Sequence, residues 1–576
     1  MEMSVSNQEI ADMFERLADL LEIDGENPFK VRAYKNASRT ISSLSKRLAD
    51  MIERGEDLTQ LPGIGKEIAK KIQEIVETGT LSKLKEMESR VPPSLVELLR
   101  ILGLGPKGVQ AVYKSLNVRT IEDLKNAAES GKLARIPGFG EKKSKKILEE
   151  IGKIQQVGKR YKLAVVEKVA EPLLQYLKEI DGVHEAMVAG SYRRKKETVG
   201  DLDILVTCNA ASPVRERFLS YESVGEILSQ GETRCSVRLR DGLQVDLRVV
   251  PEECYGAALH YFTGSQAHNV AIRRLGVERG LKINEYGVFK GEVRIAGKKE
   301  EDVFESVGLP YIEPELREDR GEIEAAKAGR LPKLVTIDSI KGDLHTHTKA
   351  TDGYHTVEEM ALAAKERGYR YIAISDHSKR LTVTRGLDER RLWEQMKEID
   401  SLNERLDGFV VLKSIEVDIM EDGSLDLSDD VLKDLDFVIG AVHHKFNLSR
   451  EKQTERIIKA MDNPHFTILA HPTGRLIGER DGYDVDIERL VEAAKERGCI
   501  LELNAHPDRL DLTDEACRLA KEAGVRVAIS TDAHAIGDLS FMRYGINQAR
   551  RGWLEADDVV NTLPFDDLKR ALRRFS

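Results

Sequence analysis

Cysteine is scarce: five occur among 576 residues, Cys208, Cys235, Cys254, Cys499 and Cys517, an odd number without a C-x-x-C pair. That pattern excludes a disulfide framework and a cysteine-type zinc site, and leaves reduced, buried thiols. No apolar run approaches the roughly 18 residues of a membrane span, and the opening MEMSVSNQEI lacks the basic and apolar parts of a secretory signal. A cytoplasmic chain with no membrane partner is expected. Aromatics are few, at 5%, but 41% hydrophobic and 33% charged residues fit an ordinary globular composition and exclude collagenous or low-complexity classes. At roughly 150 residues per domain, the length implies about four domains rather than one core.

Charge and histidine are unevenly spread. Residues 1–333 hold 54 Lys+Arg and 53 Asp+Glu, whereas 334–576 hold 35 and 46, so the halves carry +1 and −11. Residues 101–160 have 13 basic and 6 acidic side chains, an excess able to hold a polyanion. Of 13 histidines only His184, His260 and His268 precede residue 333, and imidazole is the usual neutral nitrogen ligand of transition metals. Metal chemistry is therefore expected downstream.

Residues 5–90 read as short amphipathic helices, with Ile10, Met13, Phe14, Leu17, Leu20 and Leu21 at helical spacing. Three segments, LPGIGKEIAKKI at 61–72, LGLGPKGVQAVY at 102–113 and IPGFGEKKSKKI at 136–147, each place an apolar residue and a Gly-x-Gly turn before a helix. Such a turn presents backbone amides to a phosphate. The pattern resembles the helix-hairpin-helix of DNA-binding proteins, which makes Gly63, Gly65, Lys66, Gly103, Gly105, Lys107, Gly138 and Gly140 the candidate DNA contacts.

From about 160 to 300 strand-like runs alternate with helices, an α/β or α+β pattern. Asp201-x-Asp203 lies on one of these strands, where alternation puts both carboxylates on one face, and Asp246 sits inside the apolar run QVDLRVV. Three buried acids on adjacent strands suit two Mg²⁺ or Mn²⁺ ions and an in-line phosphoryl transfer. Gly190-Ser191 before two arginines, Gly200 before Asp201, YFTGSQAHNVAIRR at 261–274 and LKINEYGVF at 281–289 resemble family X DNA polymerases, the group of DNA polymerase beta. The resemblance covers most of 1–312. It implies that Asp201, Asp203 and Asp246 are catalytic and hold the metals, with Gly190, Ser191, Arg194 and Gly200 around the triphosphate. Tyr261 and Phe262, before Gly264, would exclude a 2′-hydroxyl, Asn269 would reach the minor-groove side, and Arg273 the template. Gln266 departs from the acid expected near the incoming base. The family's lyase lysine falls on Lys71, with Lys30 and Tyr34 matching, but Glu67 stands where a supporting lysine is expected.

After a charged stretch at 313–333, read as an exposed connector, apolar runs recur at 371–375, 409–417, 437–443, 466–471, 499–505 and 525–530, suggesting a β/α barrel. Histidines follow several of them. This half resembles the PHP domain, named for polymerase and histidinol phosphatase. The resemblance implies a distorted seven-stranded barrel holding three ions of Mn²⁺, Zn²⁺ or Fe²⁺ on His345, His347, Asp352, His377, Glu416, His443, His471, Asp532 and His534.

The expected layout is multidomain: a helical 8-kDa-like domain at 1–90, a helix-hairpin-helix subdomain at 91–160, an α/β nucleotidyltransferase palm at 161–257, a nucleotide- and template-contacting subdomain at 258–312, a linker at 313–335 and the PHP domain at 336–576. The expected function is a monomeric repair polymerase that fills short gaps in primer-template DNA with dNTPs. Its second half would act as a metal-dependent 3′–5′ exonuclease, with 3′-phosphatase and abasic-site endonuclease activities as further expectations. Two alternatives stay open: a PHP half that is only structural or regulatory, and a metabolite phosphatase fused to an RNA-directed nucleotidyltransferase. The acidic charge of the second half stands against DNA binding there.

Overall fold

The computed structural model describes residues 7–42, 44, 48–101, 104–157 and 160–572. They form two compact units, 1–159 and 160–576.

The first unit is helical. Its helices include Asn7–Asp24, Pro28–Ser42, Lys66–Thr78, Ser82–Arg90, Pro106–Leu116, Ile121–Glu129 and Gly140–Val157. The periodic face of the first helix supplies core residues Ile10, Phe14, Leu17, Leu20 and Leu21, with Met13 packed at their edge. Gly65 and Gly105 are the N-caps of the helices that follow them. Gly103 lies outside the described residues.

The second unit begins with a five-stranded sheet. Its strands are β1 (Val183–Val188), β2 (Asp201–Cys208), β3 (Val224–Gln230), β4 (Arg234–Leu239) and β5 (Gln244–Val249), in the order β1-β2-β5-β4-β3. Only β2 and β5 run parallel among these neighbours, in a register that pairs Asp203 with Asp246. Helix Leu163–Lys178 helps cover the sheet through Val166, Ala170, Leu173 and Leu177. Helices Tyr255–Thr263 and Gln266–Glu278 lead to a three-stranded antiparallel sheet over 282–296 and helix Glu300–Ser306, packed around Ile272, Val288, Val303 and Phe304.

Residues 313–333 are not the exposed connector expected from their charge. Short helices at Pro314–Leu316 and Glu322–Lys327 pack inward, and Arg317 and Glu322 are wholly buried. The charges are tolerated because each is paired: Arg317 Nη1 with Glu300, and Glu322 with His268 Nδ1 at 2.7 Å.

The rest is a barrel of parallel strands. Gly342–Asp343, Tyr371–Ile374 and Val410–Lys413 form one sheet, and Glu416–Asp418, Val438–Ala441, Phe466–Leu469, Ile500–Asn504 and Val527–Ser530 a second. The chain passes from the first sheet to the second within 413–416, so 410–418 acts as one interrupted strand and the seven-stranded expectation holds. Parallel bridges His377–Glu416 and Thr346–Ala533 join the sheets on both sides. Most strands are buried on both faces, which is why they read as unbroken apolar runs. The barrel also packs on the palm: Ile477, Leu510 and Tyr544 enter the palm's apolar cluster. Arg475 Nη2 meets Glu197 Oε2 at 2.6 Å.

Candidate functional site

Strand pairing alone assembles the first site. Because β2 and β5 are parallel and in register, Asp203 lies opposite Asp246, and Asp201 lies two residues along on the same face. Burial, then the charge of Asp201, pushes Asp203 up to about 6; burial, then Asp246, raises Asp201. Two arginines offset part of the repulsion, Arg248 Nε lying 3.5 Å from Asp203 Oδ1 and Arg234 Nη2 2.9 Å from Asp246 Oδ2. A Cβ on Gly190, whose φ is +65°, would come 3.5 Å from Asp203 Oδ2.

Among the other sequence-predicted residues, Phe262 packs on Arg248, the partner of Asp203. Its ring lies 4.2 Å from the guanidinium and meets Tyr261 edge-on at 5.1 Å. Asn269 is buried and donates from Nδ2 to the carbonyl of Tyr261 at 2.7 Å, bracing the turn through Gly264 rather than facing solvent. Arg273 Nε is 3.2 Å from the Asn269 carbonyl one helical turn back. Arg194 is held by a residue that sequence reasoning missed: its Nε donates to Glu318 Oε1 at 2.9 Å.

The second site lies at one end of the barrel, where the nine expected positions converge. Glu416 is its hub, with His377 Nδ1 at 2.7 Å, His471 Nε2 at 3.0 Å, His443 Nε2 at 3.3 Å and His345 Nε2 at 3.5 Å from its carboxylate. Asp532 Oδ1 is 3.0 Å from His347 Nε2, and Asp352 Oδ2 is 3.4 Å from His377 Nε2 and 3.5 Å from His534 Nε2. Ligand-capable atoms form three overlapping groups: His345, His347 and Asp532; His347, Asp352, His377 and His534; and His377, Glu416 and His443. The Nδ1 atoms of His347 and His471 are buried without hydrogen-bond partners. Such converging lone pairs fit divalent cations, and mixed nitrogen and oxygen donors fit Mn²⁺, Zn²⁺ or Fe²⁺. His471 and Asp532 both take left-handed backbone angles, φ 26° and 54°, a strain that concentrates at functional sites.

Burial opposes charge in this cluster, yet His377, His443 and His345 together hold Glu416 well below the usual carboxylate range. Burial, with the charges of His534 and His377, pushes His347 down to about 3. A further layer escaped sequence reasoning. Glu502 Oε1 lies 2.7 Å from His345 Nδ1, and Asp418 Oδ1 lies 3.0 Å from His443 Nδ1. These carboxylates orient the rings so that Nε2 faces the cluster. Their signal was a lone acid inside an apolar strand, the same signal that revealed Asp246.

In the first unit, a Cβ on Gly65 or Gly105 would meet nothing within 4 Å, and neither residue has a positive φ. Nothing internal demands glycine there. Gly138 and Gly140 do take positive φ, 86° and 51°. Lys71 Nζ lies 3.9 Å from Glu67, the residue that departs from the lyase pattern, while Tyr34 is buried against Phe14.

Comparison with known proteins matches five segments of the chain. Residues 5–81 match a helix-hairpin-helix domain, 95–153 a SAM-like helix-hairpin-helix tandem, 164–251 the DNA polymerase beta palm, 258–318 the DNA polymerase beta thumb and 343–506 the PHP domain. The DNA polymerase/3′-5′ exonuclease PolX of Bacillus subtilis (strain 168) is 39% identical over 572 residues, 98% of this chain and 99% of that protein. A probable phosphatase of Thermoanaerobacter sp. (strain X514) is 33% identical over 231 residues, 38% of this chain and 89% of its own length. DNA polymerase lambda of Arabidopsis thaliana is 28% identical over 349 residues, 54% of this chain and 62% of its own. The chain belongs to the family X DNA polymerases that carry a C-terminal PHP domain.

Proposed function

We propose that the chain extends DNA primers from dNTPs across short gaps at the palm site and removes nucleotides from DNA 3′ ends at the barrel site. The observation that carries the first activity is the in-register trio Asp201, Asp203 and Asp246. Asp201 and Asp203 would hold two Mg²⁺ or Mn²⁺ ions, and Asp246 one of them. Bound there, the ions supply acidity to the primer 3′-hydroxyl and neutralise charge on the transferred phosphoryl group. The side chains do the positioning. Ser191 and Arg194 hold the triphosphate, Tyr261 and Phe262 crowd the sugar, and Arg273 steadies the template.

For the barrel, His345, His347, Asp352, His377, Glu416, His443, His471, Asp532 and His534 would hold three ions of Mn²⁺, Zn²⁺ or Fe²⁺. Ions there supply a hydroxide near neutral pH and a clamp for the phosphoester. Glu502 and Asp418 keep the imidazoles aligned, and the same cluster suits 3′-phosphates and abasic-site ends. The hairpin glycines and Lys66 and Lys107 grip the DNA backbone and offset the acidic barrel. The test is primer extension with dNTPs and primer shortening without them, on gapped DNA in Mn²⁺; a chain that does neither contradicts the reading.

A further inference from the structure

Residues 334–576 carry a net −11, yet one stretch at the edge of the barrel's metal cluster is basic. Residues 378–391, SKRLTVTRGLDERR, hold five Lys or Arg and two acids. The stretch starts directly after the cluster position His377 and returns to it, Leu387 donating its backbone N–H to the His377 carbonyl at 2.7 Å. Asp388 is taken up in capping the next helix, Glu389 pairs with Lys379 at 2.6 Å, and Arg390 pairs with Glu394 at 2.7 Å. The remaining cations are Arg380, Arg385 and Arg391, the first two exposed. Arg385 Nη2 donates to the Thr351 carbonyl at 2.6 Å, and Arg391 donates to the carbonyls of Ala350 and Arg385. Among the described residues none of the three guanidinium groups pairs with a carboxylate, so three positive charges stay unneutralised beside the cluster.

Those carbonyl contacts join the stretch to a second part of the rim, residues 348–355. Gly353 has no room for a side chain, since a Cβ would come 2.8 Å from the backbone of His347. Tyr354 donates its N–H to the His534 carbonyl at 2.8 Å and follows Asp352 by two residues. Three of the nine cluster positions thus fix its backbone, while its side chain is 71% exposed. Single exposed apolar residues need no explanation. An exposed tyrosine pinned to a metal cluster, in a rim with three unneutralised arginines, calls for a ligand with both a flat face and negative charge.

We propose that this rim receives an unpaired DNA strand, with Tyr354 stacked on the base of the 3′-terminal nucleotide and Arg380 and Arg385 on phosphates next to the bond to be cut. The inference rests on the exonuclease reading of the barrel and names the form of its substrate, a single-stranded 3′ end. Every base has a π-face that an aromatic ring can stack on, and guanidinium groups match phosphate oxygens with paired donors. Charges farther away than about 10 Å are largely screened at 0.1 M salt, so the local basic excess governs strand binding more than the remote acids of the barrel do.

The experiment uses the full chain in Mn²⁺ and a single-stranded tetranucleotide. A phosphorothioate at its last linkage serves for affinity by fluorescence anisotropy, and an ordinary linkage for shortening. Tyr354→Ala is expected to weaken affinity and raise KM by at least about fivefold, the scale of one base–aromatic stack, with little change in kcat. Tyr354→Phe keeps the ring and is expected to stay within twofold of wild type. Arg380→Met is expected to flatten the slope of log affinity against log salt by about 0.7, one phosphate contact on a single strand. Affinity unchanged within twofold in Tyr354→Ala, or an unchanged salt slope in Arg380→Met, overturns the proposal. Loss of bound Mn²⁺ in either variant also overturns it, because these residues would then support the cluster rather than hold the strand. A wild type that binds the tetranucleotide and never shortens it refutes the exonuclease reading, whereas the affinities of the variants judge the rim on their own.

Discussion

Asp203 and Asp246 stand directly opposite each other on two parallel strands, each with an arginine alongside, Arg248 and Arg234. Strand register, not loop geometry, fixes their separation. Burial and the charge of Asp201 hold Asp203 up to about 6, so at neutral pH its ionised form is maintained against a local cost. Asp203→Asn is therefore expected to raise the melting temperature of the metal-free protein. The same change should lower primer extension by at least about 100-fold, the scale of losing an electrostatic group that acts on the transferred charge. A variant that loses both stability and activity would argue that the trio is structural.

The outer carboxylates of the barrel make a separate prediction. Glu502→Gln and Asp418→Asn leave all nine inner positions in place but remove the acceptors at His345 Nδ1 and His443 Nδ1. Metal affinity, followed by competition with a chelator, is expected to fall about 10–100-fold, with exonuclease activity restored by excess Mn²⁺. Glu416→Gln removes the hub itself, and excess metal should not restore it.

Gly65 separates folding from binding. Serine at this N-cap can accept a hydrogen bond from the first helical turn, and no internal atom opposes its Cβ. Gly65→Ser is expected to match or slightly exceed the wild type in stability while weakening affinity for gapped DNA in a filter-binding or anisotropy assay. Undiminished affinity would remove the first hairpin from the DNA interface.

Much of this was legible in the sequence, and the exceptions that were not legible share a cause. The barrel strands, the three palm carboxylates and the nine barrel positions each lie within a local pattern, a strand run or a short motif. Arg317 and Glu322 were misread as exposed because charge in a sequence gives no sign of a distant partner; theirs are Glu300 and His268. The Glu318 clasp on Arg194 and Arg551 was invisible for the same reason, since Arg551 and Arg194 lie 357 positions apart. Glu502 and Asp418 were legible but unread.

The Glu300 network ties the palm to the helices beyond it. Burial works against the Glu300 charge, but Arg193 and Arg317 outweigh it and lower its pKa from 4.5 to about 2. Its stabilising contribution is thus complete above pH about 4.5 and lost as pH falls toward about 2. Glu300→Gln is expected to cost about 3–5 kcal/mol near neutral pH, because it strands the buried Arg317. In urea titrations the gap to wild type should narrow in acid; a constant gap would place the cost in packing instead.

The most direct test uses one primer strand annealed across a short gap with Mn²⁺ present, read for lengthening with dNTPs and shortening without them. Wild type is compared with Asp201→Ala and His345→Ala. Two independent sites on one chain predict that wild type does both, that Asp201→Ala only shortens and that His345→Ala only lengthens. Loss of both activities from either substitution, or a wild type that lengthens the primer and never shortens it, would contradict the account.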